Sequence, residues 1–221
     1  MQPVVRLRSA VCLLGRFPAL AGVDLDVDEG EVVLLAGGNG AGKTTLLRVL
    51  AGLLPLHSGE ANVLGHDLAV DRRAHRRHLS LVGHDTGCYD DLTVRENLTF
   101  ATRAAGGSTS DAEAALDRLG LGPLAEVRHG RLSAGQRRRL AIAVGLARAP
   151  KLLLLDEPHA GLDGDGREAL DDMLRSSRTD GRTVLLASHE LDRVRTLADR
   201  EVTLASGRCV TATPVAGVPT R

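Results

Sequence analysis

The chain has 221 residues, enough for one substantial domain with room for a small subdomain. Apolar residues make up 43% but aromatics only 1%, so any core must be built from Leu, Val and Ala, with no tryptophan. Lys plus Arg and Asp plus Glu both number 28, and a net charge of zero excludes the electrostatic footprint of a nucleic-acid binder. Cys12, Cys88 and Cys209 lie far apart and form neither a zinc spacing nor a CxxC pair, which fits a reduced cytosolic protein. The first residues lack the apolar run of a signal peptide, and no stretch approaches the ~20 apolar residues of a membrane helix. If a membrane is involved, a partner supplies the spans.

In chain order, Val23, Leu25 and Val27 alternate with Asp24 and Asp26, the period of a half-exposed strand, before Asp28, Glu29 and Gly30 turn the chain. Residues 31–36 form a short apolar run, as expected of a strand covered on both faces. Glycines follow, then a predicted helix in which Leu46, Leu50 and Leu53, with Leu47 and Leu54, keep helical spacing until Pro55 stops it. Arg72, Arg73, Arg76 and Arg77, interspersed with His75 and His78, read as a solvated helical face, with contact to anionic lipid or nucleotide as minor alternatives. From about 86 to 147 the pattern is mostly helical. Thr93 with Glu96, and Ser110 with Glu113, are capping-box signatures, separated by a loop at 106–109. Strand character returns at 152–155 and 183–187, with a helical segment around 168–176 between them. Strands alternating with helices predict an α/β chain with a mainly parallel sheet flanked by helices. The early alternating strands predict an antiparallel β layer, and the helical insert a subdomain. The tail after Arg208 has no clear pattern, and there are no repeats.

Gly37, Gly38, Asn39, Gly40, Ala41, Gly42, Lys43 and Thr44 fit G-x-x-x-x-G-K-[ST], the phosphate-binding P-loop, between a buried strand and an amphipathic helix. The glycines let backbone N–H groups wrap phosphate oxygens, and the helix N-terminus adds partial positive charge. Lys43 would reach the β- and γ-phosphates, Thr44 would ligate Mg²⁺, and Thr45 adjoins them in the ATP-binding set. The bland alternative is a Gly-rich turn with an incidental Lys. Further on, the apolar run 152–155 ends in Asp156 and Glu157. Ligands of open α/β sheets bind beyond the carboxyl ends of strands, so Asp156 is placed for the Mg²⁺ shell and Glu157 for polarising the attacking water. Many strands end in a carboxylate, and this one gains meaning from the P-loop upstream. Ser133 and Gln136 make an S-x-x-Q capping box opening a helix over 137–147. A capped N-terminus is also what a γ-phosphate would dock against.

The ordered set of P-loop, Leu132-Ser133-Ala134-Gly135-Gln136, Leu155-Asp156-Glu157-Pro158, Ala160-Gly161-Leu162-Asp163 and Ser188-His189 resembles that of ATP-binding-cassette (ABC) ATPases over about residues 7–207. The resemblance implies a P-loop NTPase fold as a single nucleotide-binding domain. A RecA-like core with the antiparallel β layer takes about 1–85 and 148–210, a helical signature subdomain about 86–147, and 208–221 stay unassigned. It implies ATP and Mg²⁺ as ligands, with Ser133, Ala134, Gly135 and Gln136 binding ATP held on the P-loop of a second copy in a head-to-tail dimer. Asp163 would couple the two sites, and His189 would be the switch touching the γ-phosphate, catalytic beside Glu157 and Lys43. Integral-membrane transporter subunits are the implied partners, at the inner face of the cell membrane.

Two positions depart from the family pattern. His84 stands where the family carries a Gln contacting Mg²⁺ and water. Leu14 stands where it carries the aromatic that stacks on adenine, with Phe17 three residues on as the substitute. His84, followed by Asp90-Asp91-Leu92-Thr93-Val94-Arg95-Glu96-Asn97-Leu98, with Arg137, Arg138 and Arg139 after the signature, is similar to the haem exporters of cytochrome c maturation (CcmA-type), although related exporter ATPases share part of this pattern. Arg137 to Arg139 are expected on the exposed side of the signature helix, near bound phosphates. Competing readings are a soluble mechanical ABC-type ATPase and a simple P-loop kinase or GTPase. Against the first stand the single cassette and the lack of a heptad arm, and against the second the signature segment and the lack of an N-K-x-D motif.

Overall fold

The structure, a computed structural model, describes residues 3–83 and 87–215. In chain order it runs β1 (Val5–Leu14), β2 (Phe17–Val27), β3 (Val32–Ala36), α1 (Lys43–Leu50), β4 (Ser58–Val63), β5 (His66–Asp67), α2 (Leu68–Asp71), β6 (Leu79–Val82), α3 (Val94–Ala104), α4 (Thr109–Arg118) and α5 (Ala134–Ala147). It continues with β7 (Leu152–Asp156), α6 (Gly164–Thr179), β8 (Thr183–Ala187), α7 (Leu191–Arg195), β9 (Arg200–Ala205) and β10 (Arg208–Pro214). One sheet has the order β2-β1-β4-β5 and is antiparallel; the other runs β10-β9-β3-β8-β7-β6 and is parallel except for the β10 edge.

The apolar runs are continuous because the parallel sheet has a core on each side. Val32 and Leu34 of β3, Leu153 and Leu155 of β7, and Val184 and Leu186 of β8 face the core shared with α3 to α6. Their neighbours Val33, Leu35, Leu152, Leu154 and Leu185 face the core shared with α1 and the antiparallel sheet. Alternation of side chains across a strand sends successive residues into opposite cores, and each buried Leu or Val contributes about 1.5–3 kcal/mol. Both cores lack aromatic residues and are aliphatic apart from Met173 in one and Cys12 in the other. The three aromatic residues lie at the surface, Tyr89 edge-on to Phe100 with ring centroids 5.3 Å apart.

Several boundaries differ from the sequence reading. Helix α1 stops at Leu50 rather than at Pro55, because Gly52 takes φ 67° there and a Cβ on it would lie 1.8 Å from Arg72 O. The second capping box is Ser108 with Asp111, two residues earlier than Ser110 with Glu113. Strand β10 occupies the tail from Arg208, an edge strand whose side chains are mostly exposed and so carry no hydrophobic period. The basic cluster is solvated only in part: Arg73 and Arg77 are exposed, but His75 is fully buried and its Nε2 donates to Leu50 O at 2.7 Å, while Arg76 Nε donates to Ala51 O at 3.2 Å. These groups satisfy the carbonyls left open at the end of α1, where positive charge also complements the helix dipole. Among the described residues no helix is long and apolar enough to cross a membrane.

Candidate functional site

The loop joining β3 to α1 is shaped by glycine. Gly37, Gly40 and Gly42 have φ of 140°, 75° and 107°. A Cβ on Gly37 would lie 2.3 Å from Leu204 O, and one on Gly42 would lie 2.7 Å from Ala19 O. At Gly37 and Gly42 no side chain fits this path, while Gly40 has open space and only its φ favours glycine. Gly42 is the N-cap of α1 and offers no side-chain cap, so the first-turn amides remain as donors for an anion. Lys43 is 7% exposed, and its Nζ donates to Gly37 O at 2.6 Å and Gly38 O at 3.2 Å.

The same end of the parallel sheet delivers the acidic groups. Asp156 closes β7 and is buried, pairing in register with Ala187 of β8. Glu157 follows at φ 49°, a left-handed conformation costly for a non-glycine residue, and is held by its N–H donating to Ala187 O at 2.9 Å. Its carboxylate meets His189 twice: the His189 backbone N–H donates to Oε2 at 3.0 Å, and the imidazole Nε2 is 3.3 Å from Oε1. Asp156, Glu157 and His189 line a cleft of about 330 Å³ together with Leu14, Ala19 and the run Gly38, Asn39, Gly40, Ala41, Gly42, Lys43, Thr44 and Thr45. Thr44 and Asp156 offer oxygen donors to a Mg²⁺ ion, which is ordinarily held by one or two side chains with phosphate oxygens and water.

Not every predicted residue gathers there. Leu14 lines the cleft, whereas Phe17 is 80% exposed and outside it. Ser133, Ala134, Gly135 and Gln136 are also outside it, at the start of α5. There the capping box is complete: Ser133 N–H donates to Gln136 Oε1 at 2.9 Å, and Gln136 N–H to Ser133 Oγ at 3.2 Å. A Cβ on Gly135 would lie 2.7 Å from Gly161 O, so the α5 N-terminus packs tightly on the loop before α6. Asp163 caps α6, accepting from Gly166 N–H at 2.9 Å and from Arg139 Nη2 at 2.5 Å, contacts that hold its carboxyl below the usual range. His84 lies outside the described residues.

The arginines of α5 correct the sequence reading. Arg138 and Arg139 turn inward. Arg138 donates to Asp156 O at 2.6 Å, to Glu157 O at 2.9 Å and to Gly83 O. Burial pulls its pKa down, and the Asp156 and Glu157 carboxylates oppose that shift. His159, unmarked in the sequence, is 1% exposed and its Nε2 donates to Asp171 Oδ1 at 3.0 Å. No periodicity or motif marks it, because its partner sits in the second turn of the next helix.

A family model described as ABC transporter matches residues 20–160. Over 185 residues the chain is 42% identical to the cytochrome c biogenesis ATP-binding export protein CcmA of Bordetella bronchiseptica, covering 83% of each. It is 37% identical over 203 residues to the phospholipid-transporting ATPase ABCA7 of Homo sapiens, covering 90% of this chain but 9% of that protein. The fold matches the ATP-binding cassette MJ0796, solved as a dimer in a post-hydrolysis state with ADP and Pi. The TM-score is 0.86 at 25% identity, covering 97% of this chain and 100% of that one.

Proposed function

The chain belongs to the ABC transporter family as an ATP-hydrolysing cassette, and on that footing we propose that it powers transport as one half of a head-to-tail dimer on separate integral-membrane subunits, at the cytoplasmic face. The observation that carries this reading is the division of its motifs. The P-loop, Asp156, Glu157 and His189 share one cleft, while the Ser133 helix start opens outside it. A second copy related by a two-fold axis would bring its Ser133, Ala134, Gly135 and Gln136 over ATP held on Gly37 to Thr45, so that each site needs both chains. The dimeric MJ0796 supports the arrangement.

In this reading Lys43 and the glycine-lined amides grip the triphosphate and Glu157 accepts a proton from the attacking water. His189, in contact with Glu157 in the same cleft, senses the γ-phosphate, and Asp163 couples the two sites. Mg²⁺ would be held by Thr44 and Asp156 and would neutralise charge developing between the β- and γ-oxygens. Closure of the dimer on ATP and its release after hydrolysis become the stroke on the membrane subunits. The likeness to CcmA supports haem export for cytochrome c biogenesis, and the likeness to the phospholipid-transporting ABCA7 supports a second reading, transport of another cargo.

The test is Glu157→Gln. Sedimentation with ATP and Mg²⁺ is expected to show a stable dimer and hydrolysis is expected to stop. A variant that stays monomeric, or turns over at the wild-type rate, removes the reading. Purifying the complex from membranes and identifying the partner subunits decides the cargo.

A further inference from the structure

Register between β7 and β8 ends at Asp156 and Ala187. Beyond that point Glu157 and His189 ride on segments that leave the sheet, yet their contacts at 3.0 and 3.3 Å require a fixed spacing. Both segments return to one carboxylate. His159, two residues after Glu157, donates to Asp171 Oδ1 at 3.0 Å. Arg193, four residues after His189, donates to Asp171 Oδ2 from Nε at 2.9 Å and lies 2.7 Å away through its Nη2. Asp171 sits on α6 between them, 5% exposed, beside the core residues Leu170 and Met173.

The carboxylate accepts only, so His159 carries its proton on Nε2; its buried Nδ1 meets no protein partner among the described residues. A buried carboxylate oxygen without a donor is costly, so His159 and Arg193 are each needed to satisfy one oxygen. Neither has been given a role above. Arg167 with Glu190, 3.0 Å apart, adds an outer tie between α6 and the segment after His189.

We propose that Asp171, gripped by His159 on one oxygen and Arg193 on the other, is the brace that sets the spacing of Glu157 and His189, which makes His159 a positioning residue for ATP hydrolysis. The inference rests on the ATPase reading of the same cleft. Displacing reacting groups by about 1 Å costs on the order of a hundredfold in rate, so a modest loosening of the brace reads out in kcat.

The test uses the full chain, with steady-state ATPase, binding of a fluorescent ATP analogue, and thermal melting. His159→Leu removes the donor and is expected to lower kcat about tenfold with KM and analogue affinity within about twofold. His159→Gln keeps an N–H donor at the same reach and is expected to hold kcat within about threefold of wild type. Combining His159→Leu with Asp171→Asn is expected to be no slower than the slower single variant, because both break one brace. Wild-type kcat in His159→Leu, or a Gln variant as slow as Leu, overturns the proposal. If His159→Leu does not fold, Arg193→Gln tests the half-exposed arm, where a several-fold fall in kcat at constant KM supports the brace and no fall overturns it. A wild-type chain that hydrolyses no ATP with Mg²⁺ overturns the ATPase reading itself, a result distinct from an active chain indifferent to His159.

Discussion

The guanidinium of Arg138 donates to the backbone carbonyl of Asp156 at 2.6 Å, tying the helix that begins after Ser133 to the strand end that carries both acidic groups of the cleft. A second bond from the same nitrogen reaches Glu157 O at 2.9 Å. Any shift of α5 is thereby passed to the Glu157 backbone, already held in a left-handed conformation.

Arg138→Met keeps the stem but removes these bonds. Glu157 O keeps a donor in the Ala160 N–H at 3.2 Å, but taking the guanidinium from the carbonyl of buried Asp156 costs about 1–3 kcal/mol, so the melting temperature is expected to fall by about 2–12 °C for a chain of this length. Hydrolysis is expected to fall about tenfold, since Glu157 loses part of its backbone support. Arg138→Lys reaches fewer carbonyls and is expected to fall between the two. Melting curves and ATPase rates for the two variants check this; an Arg138→Met chain as stable and as fast as wild type contradicts it.

Leu14, rather than Phe17, is expected to meet the base of the nucleotide, because it lines the cleft while Phe17 is largely in solvent. Leu14→Ala is expected to weaken ATP binding about three- to tenfold, the equivalent of losing part of one apolar contact, whereas Phe17→Ala changes it less than about twofold. Leu14→Tyr is expected to tighten binding through stacking. Titration with a fluorescent ATP analogue measures all three, and a stronger loss at Phe17 than at Leu14 reverses the assignment.

Three acids at helix starts share one electrostatic cause. Glu96 accepts from the Thr93 N–H, Asp111 from the Ser108 N–H and Asp163 from the Gly166 N–H, and each carboxyl is held below its ordinary value. A depressed folded pKa gives stability that is present above the unfolded value, near 4, and is lost as pH falls through the folded one. The melting temperature is therefore expected to drop below about pH 4. Asp163→Asn removes one of the three groups and is expected to give a shallower drop. A variant whose acid slope equals the wild-type slope would show that Asp163 contributes nothing there.

Much of the fold was readable because its signals are local. The runs 32–36 and 152–155 owe their unbroken apolar character to facing two cores, and the Ser133 and Thr93 capping boxes close within three residues. The P-loop follows from glycines whose Cβ would strike Leu204 O and Ala19 O, a constraint written into the composition of the loop. The end of α1 was misplaced because the contact that stops it, Gly52 against Arg72, joins distant residues. Strand β10 was invisible because an exposed edge strand has no alternation to read.

Residue identity and spacing already carry the available chemistry: a phosphate cradle, two carboxylates at a strand end, a histidine after the next strand, and a capped helix start. Tertiary structure alone decided which of these meet. It set Glu157 against His189, left Ser133 outside their cleft, and turned Arg138 and His75 inward onto backbone carbonyls and buried Arg139 against the Asp163 carboxylate. The physical reason is that hydrophobic period and capping act over a few residues. The partner of a buried charge, such as Asp171 for His159 and Arg193, is chosen by the packing of separate elements, which no local pattern records.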